Sequence, residues 1–211
     1  MKAYFDLDGT LIDISKRHYL VYKDAVIHFG GKPLNKNKYW QLKRNKASWS
    51  ELLLCSNLEK NNKEVFLQHF IKNIEKKSFL KKDTLFPNSL EVLNQVSRIS
   101  DCYLVSLRRN KKNLFEQLDW LGIKDIFKDI RTGHSENQGD DIKTKLIKYD
   151  NSVKGIIIGD TEADIITGKN LGLYSIGVLS GIRDEDFLKN LNPDLIIKSI
   201  KDFPYELLMQ K

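Results

Sequence analysis

The chain has 211 residues, 41% apolar and 30% charged, the balance of a globular protein built as one large domain or as a core with an attached lobe. Two cysteines, Cys55 and Cys102, exclude a disulfide framework, and the lack of a charged leader or of an apolar run near 18 residues argues against a signal peptide and a transmembrane helix. The net charge of +7 is uneven, since residues 14–83 hold 16 Lys and Arg against 6 Asp and Glu, which suits an anionic partner, from a small phosphate ester up to nucleic acid.

The chain opens with "KAYFDL", a short apolar run ending at carboxylates, which reads as a buried strand. Asp6 and Asp8 follow one residue apart, and Gly9 comes next. "KRHYLVYKDAVIHFG" has helical spacing and stops at Gly30-Gly31. "SWSELLLCSNLEK" and "KEVFLQHFIKNIEKKSFL" also read as helices, and no strand-like alternation occurs between residues 16 and 82. After "LFPN" the pattern becomes regular. "SLEVLNQVSRIS" is an amphipathic helix carrying Leu90, Leu93 and Val96, and "CYLVSL" is a buried strand in which Cys102 reads as a buried thiol. "NLFEQLDWLGI" is a helix with Leu114, Phe115, Leu118 and Leu121 on one face. "RTGHSENQGDD", residues 131–141, reads as a polar loop, and "IKTKLIKY" as a short helix. "KGIIIGD" is a strand, "ADIITGKNLG" a helix, and "YSIGVL" and "DLIIKS" are further strands. Strands alternating with helices imply a parallel sheet covered on both faces.

In such a sheet the active crevice lies at the carboxyl ends of the strands. The first strand ends at Asp6 and Asp8, "CYLVS" at Ser106, and "GIIIGD" at Asp160, with Asp164 one helical turn later. Lys143 and Lys145 lie on the helix before that last strand. Clustered carboxylates repel unless a cation joins them. With few histidines nearby the set favours a hard, oxygen-seeking ion, and Mg²⁺ with a phosphate oxygen fits. A carboxylate in that setting can attack phosphorus.

"DLDGTL" at residues 6–11, Ser106 at a strand end, a lysine near 143 and "GDTEAD" at 159–164 resemble, in order, the four motifs of the haloacid dehalogenase-like hydrolases. The layout is similar to the phosphoglycolate phosphatase and β-phosphoglucomutase-like members. The resemblance implies an α/β fold with a Rossmann-like core over residues 1–14 and 84–211 and a small α-helical cap over 15–83. It implies Asp6 as nucleophile and Mg²⁺ ligand. Asp8 would be general acid and base, with its backbone carbonyl on the metal. Ser106 would bind a phosphoryl oxygen. Lys143, with Lys145 as the alternative, would neutralise phosphoryl charge. Asp160 would ligate the metal, Asp164 would support it from behind or pair with the lysine, and Gly9 would let the backbone approach the phosphate. The dehalogenase members lack the second aspartate and the ATP pumps carry threonine there, so Asp8 argues for phosphatase chemistry.

"SLRRN" departs from the commoner small or neutral residues after the second motif. Arg108 can clamp a second anionic group on the substrate, or make an ordinary surface ion pair. Arg44 and Lys46 lie where related caps read the leaving group, and the alternative for them is solvated charge. His18, His28, His69 and His134 show no metal-ligand spacing and read as surface or packing residues. The expected protein is a cytoplasmic, Mg²⁺-dependent phosphatase of a small phosphorylated metabolite. A sugar-phosphate phosphotransferase or mutase uses the same residues, and a non-catalytic module with a basic cap is the rival from another class. The intact aspartates and the lack of a recognised motif argue against a nucleic-acid partner. Oligomeric state stays open.

Overall fold

The computed structural model describes residues 1–134, 141–148 and 154–209. β1 (Lys2–Phe5) and β2 (Ile12–Asp13) lead into five helices, α1 (Ser15–His28), α2 (Lys36–Arg44), α3 (Trp49–Cys55), α4 (Lys63–Ile74) and α5 (Lys77–Leu80). The chain continues through β3 (Thr84–Leu85), α6 (Ser89–Ser97), β4 (Asp101–Ser106), α7 (Lys111–Trp120) and β5 (Asp129–Thr132). It ends with α8 (Ile142–Lys148), β6 (Gly155–Gly159), α9 (Glu162–Leu171), β7 (Tyr174–Val178), α10 (Glu185–Asn190), β8 (Leu195–Ile197) and α11 (Glu206–Met209). These elements form two compact units, one of Met1–Asp13 with Thr84–Lys211 and one of Ile14–Asp83.

The first unit is an α/β core around a six-stranded sheet in the order β5-β4-β1-β6-β7-β8, every pair parallel. Parallel strands buried on both faces carry continuous apolar runs, and "AYF", "CYLV" and "III" are such runs. Tyr4, Tyr103, Val105 and Ile157 pack with Ile147 of α8 on one face. Phe5 faces the other way and stacks on Phe203 at 6.1 Å. The chain leaves β1 for β4 and β5 on one side and returns to β6, β7 and β8 on the other. The strand order therefore reverses beside β1, the place where open α/β sheets bind ligands. β2 and β3 pair antiparallel as a two-stranded ribbon. Leu11 O accepts hydrogen bonds from Phe86 N at 2.9 Å and Ser89 Oγ at 2.8 Å, so the two ends of the core segments are fastened together.

The regular elements of the second unit are all helices. Val21, Tyr22, Val26, Tyr39, Leu53, Phe66 and Phe70 are among the side chains of its own core. Asn35 and Ser48 cap α2 and α3 by accepting from Lys38 N and Glu51 N, the role such short polar side chains serve best. His18 packs against the rings of Trp40 and Phe70, and His28 stacks on His69 at 4.5 Å. Arg17 is almost fully buried; its Nε lies 3.0 Å from Asp83 Oδ2 and its Nη1 donates to Ile74 O at 3.3 Å. The pair ties the first helix of the unit to its last residue.

Several expectations need correction. β5 lies where residues 131 and 132 were expected in a loop; it is an edge strand of four residues, DIRT, one exposed and three partly buried, so it carries no apolar run to read. Residues 135–140 of that loop, and Tyr149 of the helix after it, lie outside the described residues. α2 was not expected, because Tyr39 is its one buried residue. The helix expected through residue 80 breaks at Lys76, whose extended backbone starts α5 separately. α3 ends at Cys55, and Asn57 follows in the left-handed region at φ 57°. Leu90 is 41% exposed and lines an open groove with Leu85 and Phe86, while Val92, Leu93 and Val96 are buried. Leu114 and Leu118 are buried as expected, with Phe115 and Leu121 at the margin. No helix among the described residues is long and apolar enough to cross a membrane.

Breaking a buried ion pair by removing one partner costs about 3–5 kcal/mol, because the other charge stays behind uncompensated. Arg17→Met is therefore expected to lower unfolding stability by that order in urea titrations, and adding Asp83→Leu to restore most of it. A single variant within about 1 kcal/mol of wild type would contradict the structural role given to the pair.

Candidate active site

Asp6 and Asp8 sit just beyond β1. Asp6 N continues the sheet pairing by donating to Ile158 O at 2.9 Å. The chain then turns tightly, with Leu11 N and Ile12 N both donating to Leu7 O and Gly9 N donating to Ile12 O. Gly9 has φ +85°, and a Cβ there would run into the Asp160 carboxylate and the Gly181 backbone. Glycine is needed for both reasons. Ser106 ends β4 and is buried. Asp160 follows β6 directly, and Asp164 lies in the first turn of α9.

Lys143 extends from α8 into this crevice. Its Nζ lies 2.5 Å from Asp6 Oδ1 and 2.5 Å from Asp164 Oδ1. α8 is docked by Asp141, whose Oδ1 accepts from Thr144 N at 3.1 Å and from Thr167 Oγ1 at 3.3 Å, the latter on α9. That docking turns Lys143 inward and leaves Lys145 exposed. Of the two lysines the sequence left open, Lys143 is the one among the carboxylates.

Asp164 is fully engaged. Its Oδ1 takes Lys143, and its Oδ2 accepts from Thr161 N at 3.2 Å and Thr161 Oγ1 at 2.8 Å, closing a capping box at the start of α9. Asp160 is held differently. Its Oδ2 accepts from Ile182 N at 2.5 Å, whereas its buried Oδ1 has no hydrogen-bond partner among the described residues. Carboxylate oxygens of Asp6, Asp160 and Asp164 all lie within 4.8 Å of one another. An all-oxygen set with one orphaned buried oxygen is what a hard divalent ion such as Mg²⁺ requires. With Asp164 spent on Lys143 and Thr161, Asp6 and Asp160 are the carboxylates left to face such an ion.

The charges are costly without it. Burial lifts the Asp6 carboxyl to about 7, with Lys143 opposing and Asp164 and Asp8 adding to the rise. Burial also pushes Asp160 well above the ordinary carboxylate range, helped by Asp6 and Asp164. Burial alone would lower Lys143, but Asp164 and Asp6 more than offset it and its pKa is raised.

Arg108 is not at the surface, contrary to one expectation for it. It is buried, and its Nε and Nη2 form a fork on Asp8, Nη2 at 2.6 Å from Oδ1. Arg44 is the last residue of α2 and Lys46 lies in the turn after it at φ 56°, both in the helical unit. Sequence reasoning missed the segment after β7. Ser180 Oγ donates to Gly9 O at 2.9 Å, a Cβ on Gly181 would strike Asp160, and Ile182 supplies the N–H just described. Arg183 forks onto Glu162 beside them. The signal was the polar "SGIRD" at one more strand end.

Residues 3–178 match the family model described as haloacid dehalogenase-like hydrolase. The pyrophosphatase PpaX of Oceanobacillus iheyensis is 24% identical over 217 residues, covering 94% of this chain and 92% of that protein. A phosphoglycolate phosphatase of Vibrio cholerae is 26% identical over 212 residues, covering 93% and 92%. Among solved structures, a haloacid dehalogenase-like family hydrolase from Streptococcus pneumoniae superimposes with a TM-score of 0.74 at 20% identity over 95% of each chain. At that identity the likeness speaks to the fold.

With the Asp6 carboxyl raised from 3.8 to about 7, the metal-free folded chain between those pH values holds a proton there that the unfolded chain has released. Stability from this group therefore falls as pH rises from about 4 to 7. Mg²⁺ is expected to raise the melting temperature more at pH 8 than at pH 5, by about 5 °C at saturating ion. Asp160→Asn is expected to lose that gain while the metal-free protein melts no lower than wild type at pH 8. An equal gain at both pH values, or an undiminished gain in the variant, would contradict this reading; circular dichroism melts decide it.

Proposed function

Because the chain belongs to the haloacid dehalogenase-like hydrolases and is a phosphoric monoester hydrolase, we propose that it acts with Mg²⁺ on a small substrate of the phosphoglycolate or pyrophosphate type, through a phosphorylated Asp6. The observation that carries this is the buried Asp6 carboxylate, bound at Oδ1 by the Lys143 ammonium and grouped with an Asp160 whose Oδ1 is unpartnered among the described residues.

The residues divide the work as follows. Asp6 attacks phosphorus with a carboxylate oxygen, and the bond to the leaving oxygen breaks as Asp8 gives that oxygen its proton. Water then attacks the phosphorus, Asp8 takes the water's proton, and Asp6 is restored as phosphate departs. Lys143 balances negative charge on Asp6 and on the phosphoryl oxygens, Ser106 hydrogen-bonds one of them, and Gly9 keeps the backbone narrow enough for the phosphate to approach. Asp6, Asp160 and the Asp8 carbonyl would hold Mg²⁺, with Asp164 steadying Lys143 behind them. Such an ion supplies charge neutralisation and polarises phosphoryl oxygens. The curated relatives are named for hydrolysis, which favours water over a sugar hydroxyl as acceptor.

Asp6→Asn is expected to lower Mg²⁺-dependent phosphate release by about 10⁴-fold or more. Asp8→Ala is expected to cost about 10²–10⁴-fold on an alkyl phosphate, and clearly less on p-nitrophenyl phosphate, whose leaving group needs little protonation. A panel of monoesters and pyrophosphate, read as phosphate released, checks both. Full activity in Asp6→Asn would remove the nucleophile from this scheme, and equal losses on the two kinds of ester would remove Asp8 as the proton donor.

A further inference from the structure

The fork between Arg108 and Asp8 has a shape that a second ligand can use. Arg108 presents its Nε and Nη2 edge to the two oxygens of Asp8, and that edge is the one a guanidinium offers to any carboxylate or phosphate. The pair is unequal in accessibility. The Arg108 side chain is 5% exposed and that of Asp8 24%, so the aspartate is the member that can be approached and displaced. Arg108 is also anchored by groups other than Asp8. Its Nη2 donates to Oε1 of the buried Gln117 at 3.2 Å, and its backbone oxygen accepts from Thr132 Oγ1 at 2.5 Å. The guanidinium therefore has a place to stay when its carboxylate partner leaves. Asp8, by contrast, has to face a leaving oxygen in the proposed reaction, and a carboxylate locked on a guanidinium is poorly placed for that.

We propose that Arg108 exchanges Asp8 for a second anionic group of the substrate, a carboxylate or phosphate next to the scissile phosphoryl group. The incoming anion takes the Nε and Nη2 edge, and Asp8 swings free toward the leaving oxygen. Arg108 is then the residue that selects substrates with two anionic groups, and occupancy of its fork releases the acid. This rests on the function proposed above and names the substrate feature it reads.

The test compares 2-phosphoglycolate with 2-hydroxyethyl phosphate, which has nearly the same size and a similar alkoxide leaving group but no carboxylate. Wild type is expected to favour phosphoglycolate in kcat/KM by about 30-fold or more, the range for breaking one partner of a buried, hydrogen-bonded charge pair. In Arg108→Met that preference is expected to shrink to within about threefold, and Arg108→Lys, with charge but no fork, to keep only part of it. Equal losses on both esters would make Arg108 a mere tether for Asp8 and overturn the exchange while leaving the phosphatase reading intact. If Arg108→Met fails to fold, wild type and Arg108→Lys still decide it, because a wild type with no preference, or a lysine variant with an undiminished one, overturns the proposal. Turnover of neither ester nor of pyrophosphate by wild type would overturn both readings together.

Discussion

Three buried carboxylates, Asp6, Asp160 and Asp164, lie together, with the Lys143 ammonium on Asp6 and Asp164, and the surrounding structure is arranged around that excess of negative charge. Burying ionised groups is expensive unless each is paired and hydrogen-bonded. The chain meets this need unevenly. Lys143 serves one oxygen each of Asp6 and Asp164, the Thr161 cap serves the other oxygen of Asp164, and the Ile182 N–H serves one oxygen of Asp160. What is left over is concentrated on Asp160 Oδ1 and on Asp6, the two places where raised pKa values register the cost. A pocket built for stability alone would hold apolar side chains instead. Unbalanced charge kept in a cleft marks a site that expects a cation and an anion.

The fold places this cluster through strand order. β1 lies between β4 and β6, so the residues just past their carboxyl ends are neighbours although they come from three distant parts of the sequence. Asp6, Ser106 and Asp160 need no loop of their own to meet. The contributions that do need loops are Lys143, carried in on α8 and oriented by Asp141 against α9, and the Ser180–Ile182 segment, which closes on Gly9 and Asp160. The absence of side chains at Gly9 and Gly181 lets these strands and loops come together around Asp160.

What the sequence made legible follows the same division. Asp6, Asp8, Asp160 and Ser106 stand where continuous apolar runs stop, and a buried parallel strand announces its end by such a break. Lys143 and Lys145 could not be separated by spacing; the face of α8 that packs on α9 separates them. Arg108 read either as a clamp on a second anion or as a surface ion pair, because nothing in a linear pattern reveals that residue 108 folds onto residue 8. β5 and α2 escaped notice for a shared reason: each buries too little of itself, at the sheet edge or with Tyr39 alone, to impose a period on its residues. The segment after β7 was overlooked because its contacts with Asp160 are made by the Ile182 N–H and by the lack of a side chain at Gly181, which leave little trace in residue type beyond the polar "SGIRD" itself.

The central claim is that Asp6 is the atom donor to phosphorus, made able to act by its buried position and its charge partners. The most direct measurement is a rapid acid quench during turnover of phosphate-labelled phosphoglycolate or pyrophosphate, followed by mapping of the labelled peptide. The account predicts a transient, hydroxylamine-sensitive phosphoryl group on Asp6, as expected for a carboxylate nucleophile. Steady release of phosphate with no label on the protein at any time, or label on a different residue, would contradict it.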